Sequence, residues 1–193
     1  MKITSTFLTL ATMAMLWGCG SKTTETTDTT EFADSSNEAS ADNAGTESAA
    51  VAEDDAEFAV EAANGGMAEV ALSKIAEEKA TDPKVKEFAA QMITDHSKAN
   101  DELKTLAASK NITLPSAPNE EKQKAAADLG GKNGSDFDEA YISQMKKDHE
   151  KTVKLFEDAQ KEVKDAELKA FIDKTLPVIK AHAEHAKSLD KTK

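Results

Sequence analysis

The sequence predicts an all-α protein built around a four-helix bundle, and three observations carry that prediction. Ala, Lys and Glu are the commonest residues of a chain of 193 residues that holds only eight Gly and four Pro. An all-β fold needs a turn signal every ~8–12 residues, so too few turn formers are present for one. From residue 58 onward, apolar side chains recur at spacings of three and four, the stripe of a helix buried along one face. Helix punctuation then cuts that stripe into four runs of similar length.

The first eighteen residues read as an export signal. Lys2 supplies a positive start, Ile3 to Trp17 is apolar, and the run ends in Leu16-Trp17-Gly18-Cys19. The stretch is short for a membrane span, which needs ~20 apolar residues. The terminal tetrapeptide resembles a bacterial lipobox, whose Cys is lipidated and becomes the new N-terminus. The resemblance implies a chain anchored through Cys19, and the absence of Asp directly after that Cys implies the outer membrane. Residues 19–52 follow as a Thr-, Ser-, Ala- and acid-rich tether. Only Phe32 and Val51 in it are suited to a core, so it is expected to stay disordered. Eleven of the 36 acidic residues precede Phe58, and the acidity of the chain belongs mostly to this stalk.

The bundle domain is expected over 53–193. Its first helix shows a seam of Phe58, Ala62, Gly65, Glu69, Leu72 and Ala76. The second opens at Thr81-Asp82-Pro83, with Asp82 as N-cap and Pro83 in the first turn. Its seam runs Val85, Ala89, Met92, His96, Ala99, Leu103 and Leu106, and Pro115 and Pro118 bar its continuation. The third starts at Ser135, with Asp138 as a capping-box partner, along Ile142, Met145, His149, Thr152, Phe156, Ala159 and Val163. The fourth is capped by Asp165 and runs Leu168, Ile172, Thr175, Ile179, His182, Ala186 and Leu189. Pro177 within it predicts a kink or a loosened turn. Short connections join the first pair and the last pair, whereas Asn111–Gly134 is long, with Asn119–Leu129 suited to a helix. One long crossover between the second and third helices is the connectivity of ferritin-like bundles. A loose loop joining neighbouring ends is the alternative. Asp82-x-x-Val85-Lys86-x-Phe88 is echoed by Asp165-x-x-Leu168-Lys169-x-Phe171, which reads either as an old hairpin duplication or as convergence of helix-friendly composition. Gln91-Met92-x-x-Asp95-His96 also recurs, as Gln144-Met145-x-x-Asp148-His149.

Charge and composition exclude several functions. The chain is at net −12 and carries no Arg, whereas nucleic-acid binding needs clustered cations. A single Cys excludes an internal disulfide and a thiolate metal cluster. No phosphate loop, nucleophile elbow or pair of catalytic carboxylates is present, and no organic cofactor is expected.

The residues that carry chemistry are imidazoles. His96, His149 and His182 occupy inward positions on three different helices, and Glu69 interrupts the seam of the remaining one. At 1.5 Å rise per residue all four fall within about one turn of a common mid-bundle layer. One ligand-type residue per helix, converging inward, is how bundles hold metals. Imidazoles with one carboxylate suit zinc, iron, copper or manganese. Asp95 and Asp148 each precede a seam His and are candidates to accept an imidazole N–H from a neighbouring helix; a solvated face is the plainer reading. His185 is a candidate extra ligand, or an exposed residue. The alternative for the layer as a whole is a non-catalytic one: a hydrogen-bonded network that fixes helix register in a structural or interaction module.

Specific stretches also resemble a known family. They are Gly66-Met67-Ala68-Glu69-Val70, Phe88-Ala89-x-x-Met92-x-x-Asp95-His96-Ser97, Asp136-Phe137-Asp138-x-Ala140-Tyr141, Asp148-His149-Glu150 and Thr175-Leu176-Pro177-x-Ile179-x-x-His182. Together they are similar to the bacterial envelope family called domain of unknown function forty-one forty-two, whose members are often labelled predicted outer membrane protein. The resemblance implies a ferritin-like bundle in the cell envelope and no established activity. Ferritin-like di-iron enzymes carry Glu-x-x-His on two helices, but Ile93 and Ile179 stand three residues before His96 and His182. A mononuclear site is therefore the better expectation.

Overall fold

The structure, a computed structural model, describes residues 28–42 and 52–190. In chain order the helices are α1 (Thr29–Asp42), α2 (Glu53–Lys79), α3 (Pro83–Ser109), α4 (Glu120–Gly130), α5 (Gly134–Glu162) and α6 (Ala166–Asp190). The four long ones, α2, α3, α5 and α6, are the four runs of the sequence. Among the described residues no helix is long and apolar enough to cross a membrane. The export signal and Cys19 lie outside the described residues.

The apolar seams meet as two core clusters stacked along the bundle. One holds Phe58, Leu103, Phe156, Phe171 and Ile172; the other holds Leu72, Phe88, Met92, Tyr141 and Met145. In each long helix the Glu or His of interest falls between the residues of one cluster and those of the other. The polar layer thus lies between the two apolar clusters. The glycine of the α2 seam is Gly66 rather than Gly65. Gly66 is buried against Asn100, whereas a Cβ at Gly65 would meet open space.

Two buried carboxylates decide the topology. Asp55, in the first turn of α2, accepts from the backbone N–H groups of Lys164 (2.9 Å) and Asp165 (2.8 Å) at the α5–α6 corner. Asp138, just past the first turn of α5, accepts from Thr81 N (2.9 Å), Asp82 N (2.9 Å) and the Thr81 hydroxyl (2.6 Å) at the α2–α3 corner. The start of α2 therefore lies beside the end of α5, and the start of α5 beside the end of α2. These helices are antiparallel, so the α3–α5 connection must travel the length of the bundle. This is the ferritin-like crossover. The expected Ser135–Asp138 capping box does not form: α5 is preceded by Asn133 with no side-chain cap, because the Asp138 carboxylate is spent on the opposite hairpin. Asp82 and Asp165 cap as expected, on Lys84 N (2.8 Å) and on Glu167 N and Leu168 N (both 3.0 Å). α6 runs through Pro177 as a single helix.

The crossover carries α4, capped by Asn119 (to Lys122 N, 3.0 Å). Its Lys122 reaches the buried Asp148 on α5 (3.0 Å). The expectation of a disordered tether over 19–52 is corrected for Thr29–Asp42, which forms α1. Ala33 is fully buried, while Phe32, the expected core residue, points outward at 63% exposure. Asn37 pairs both ways with the Thr113 backbone, to its carbonyl (3.1 Å) and from its N–H (2.8 Å). The Thr29 hydroxyl donates to Ala117 O (2.8 Å), and Asp28 accepts from Glu120 N (3.0 Å). Composition misjudged this segment because its docking uses polar groups against free backbone groups of the crossover, not an apolar stripe.

Candidate metal centre

Each of the four expected residues is buried at mid-helix: Glu69 is 1% exposed, His96 6%, His149 0% and His182 1%. The three imidazoles form a triangle with ring centroids 5.2–5.6 Å apart. One nitrogen from each ring lies within 4.8 Å of those of the other two.

In two of the rings one nitrogen is already committed to a protein acceptor, and in the third it lies beside a carboxylate. His149 Nδ1 is 2.9 Å from the Met145 carbonyl one turn back, and a carbonyl can only accept, so Nδ1 carries the proton. His182 Nε2 donates to Asp95 Oδ2 (2.9 Å). His96 Nδ1 lies 3.0 Å from Glu69 Oε2, and His149 Nδ1 lies 3.5 Å from Glu69 Oε1. These two contacts are close in distance but misaligned for hydrogen bonding, and both Glu69 oxygens are left without a hydrogen-bond partner. The other nitrogens, His96 Nε2, His149 Nε2 and His182 Nδ1, are buried and unpartnered.

Burial dominates the electrostatics. It holds the His96 imidazole below its usual range, with His149 adding to the effect and the Glu69 carboxylate opposing it. His182 is pushed down to about 4, first by burial and then by His96, against its hydrogen bond to Asp95. Both rings are neutral at pH 7, and neutral imidazole is the form that coordinates metals. Three inward lone pairs with no donor facing them would be costly as a finished hydrogen-bond network, since each buried unsatisfied group costs about 1–3 kcal/mol. Imidazole donors of this kind fit zinc, copper or iron.

The neighbouring candidates separate. Asp95 serves the layer through His182, reaching it from α3. Asp148 does not: it faces away, accepting from Lys122 and from Gln144 Nε2 (2.8 Å), and so anchors the crossover. His185 stands outside the layer, edge-on to Phe88 at 4.9 Å. The Met145 carbonyl is a contributor that no side-chain pattern reveals; only the i, i+4 geometry of a helix supplies it.

The sequence matches the family described as Domain of unknown function (DUF4142) over residues 40–189. No curated protein matches. Among solved structures, the chain is similar to one titled "CopM in the Cu(II)-bound form", at TM-score 0.61 and 19% identity, covering 71% of this chain and 95% of that one. At this identity the likeness concerns the helical fold.

Proposed function

This chain belongs to the family Domain of unknown function (DUF4142), and from that premise we propose that it is an outer-membrane lipoprotein whose bundle binds one transition metal ion, copper foremost. The ligands are His96, His149 and His182. Cys19 carries the lipid that tethers the domain in the envelope.

The observation that carries the reading is the set of three buried ring nitrogens without partners, two of them opposite a nitrogen fixed by a protein acceptor. An imidazole whose far N–H is held by a carboxylate or carbonyl has its tautomer and orientation set for coordination. Asp95 does this for His182, and the Met145 carbonyl for His149. Glu69, flanked by the Nδ1 atoms of His96 and His149, supplies the negative charge that offsets a bound cation; it stands behind the trio and does not act as a fourth ligand. The copper-bound title of a protein of similar fold supports copper as the first ion to try.

Metal analysis of protein purified without chelator, followed by calorimetric titration with Cu(II) and Zn(II), tests the proposal. Binding is expected to stabilise the fold by roughly 2.7 kcal/mol at a hundredfold excess over Kd. His149→Ala should abolish that gain and leave the helices formed. If copper, zinc, iron and manganese all leave the melting temperature unchanged, the metal reading fails. The layer is then a register-fixing device, and His149→Leu should be neutral or stabilising.

A further inference from the structure

α1 is fastened to the rest of the fold mainly through polar groups. Ala33 and Thr30 are buried in the docked helix, whereas Phe32 is turned to solvent. The other attachments are hydrogen bonds to the crossover, made by Asn37 with Thr113, by Thr29 with Ala117 and by Asp28 with Glu120. The helix itself is weak. It has 14 residues and no cation in its last turn, and Ser36 and Ser40 turn their hydroxyls back on its own carbonyls (both 2.8 Å). An isolated helix of this length is marginal in water, so α1 stands only while it is docked.

The docked surface also repels itself. Glu61 of α2 feels Asp34 and Asp28 from α1, Glu57 on its own helix and Lys122 from α4. Lys122 is already paired with the buried Asp148 (3.0 Å). Toward α5, Glu61 shares a groove with Asp158 and Glu162, and Asp54 lines that groove from α2. Partial burial, and then these neighbouring carboxylates, hold Glu61 above the usual carboxylate range. Asp34 is raised in the same way, by partial burial and then by Glu38. Both return to ordinary values on release, so docking takes up protons and weakens as pH rises through the raised values. Asp28 acts in the opposite sense. Hydrogen bonds from Thr30 and from the Glu120 N–H lower its pKa, so its share of the docking is lost in strong acid. The grip is tightest in mildly acidic solution, and salt restores it at higher pH by screening the repulsion.

We propose that α1 is a retractable strap that sets how far the bundle can stand from the membrane. Docked, it leaves nine residues between Cys19 and Asp28, a reach of about 30 Å at most. Released, it passes the first hold on the chain to Glu53 at the start of α2, and the reach grows to about 110 Å. The change of reach rests on the lipid anchor proposed above; the docking switch stands without it.

Spin labels on Phe32→Cys and Lys124→Cys, both at exposed positions, report the strap in the full chain carrying Cys19→Ser. Double electron–electron resonance in low salt should show one short distance at pH 5.5. At pH 8 a long, broad component should rise severalfold, and added salt should remove it. Asp34→Asn combined with Glu61→Gln should keep the short distance at pH 8, and Asn37→Ala should favour the long one at both pH values. A wild-type distribution that is the same at both pH values overturns the switch, as does a double variant that opens like the wild type. Reach is read on the chain with Cys19 intact and lipidated, in phosphatidylethanolamine–phosphatidylglycerol vesicles. Energy transfer from a dye on Lys124→Cys to labelled headgroups should fall between pH 5.5 and pH 8. Constant transfer on vesicles overturns the strap as a control of reach. A chain that switches in solution but does not stay with the vesicles overturns the anchor, and the change of reach with it.

Discussion

Acidification of the metal-free protein gives the most direct view of the buried imidazoles. His182 is held down to about 4 in the folded chain, against an ordinary value of 6.5. A folded pKa below the unfolded one means that the unfolded state takes up protons first. The stability due to the neutral ring is therefore complete above pH 6.5 and is lost as pH falls from there toward 4. At about 1.4 kcal/mol per pKa unit, the loss from this residue alone is about 1 kcal/mol at pH 5.5 and about 2–3 kcal/mol at pH 4.5. His96 shifts in the same direction and adds to the slope. The assay is urea unfolding in the presence of a chelator at pH 7, 5.5 and 4.5, on wild type and on His182→Leu. Carboxylates titrate in both proteins, so the difference between the two slopes isolates the imidazole. Leu has similar bulk and no proton to gain, and it leaves Asp95 at the half-buried end of the layer, where water can solvate it. Identical slopes in the two proteins would refute the argument, as would a wild type that gains stability on acidification.

Asp138→Ala should destabilise the fold by about 3–5 kcal/mol in thermal melts, because it strips a buried carboxylate from several donors at the α2–α3 corner. Asp55→Ala should act in the same direction through the α5–α6 corner; a change below about 1 kcal/mol in either would mean that the corners are held by something else. Starting the chain at Ala52 should cost about 1–3 kcal/mol, the worth of the contacts that α1 makes with the crossover, and an unchanged denaturation midpoint would show that α1 contributes nothing to stability. Cys19→Ser should move the protein from the membrane fraction to the soluble one, and continued sedimentation with membranes would place the anchor elsewhere.

The sequence by itself determined the four long helices and the faces they bury. Heptad spacing fixes which side chains turn inward whatever the helix packs against, and so His96, His149 and His182 could be placed in one layer with Glu69 before any contact was known. The caps at Asp82 and Asp165 were equally legible, because they act on their own first turn. Everything that depends on a partner from another part of the chain was decided by the tertiary structure. Asp95 and Asp148 occupy matching places in a repeated motif, yet one meets His182 and the other meets Lys122 of the crossover, since their helices have different neighbours. Asp138 looks like a local cap and serves a remote one. α1 has no apolar stripe and docks because the crossover happens to present free backbone groups to Thr29 and Asn37. The same holds within the site: a side chain's position on a helix is local, but which nitrogen of an imidazole remains free depends on the acceptor that claims the other one. Periodicity carries no information about that acceptor; only the assembled bundle supplies it.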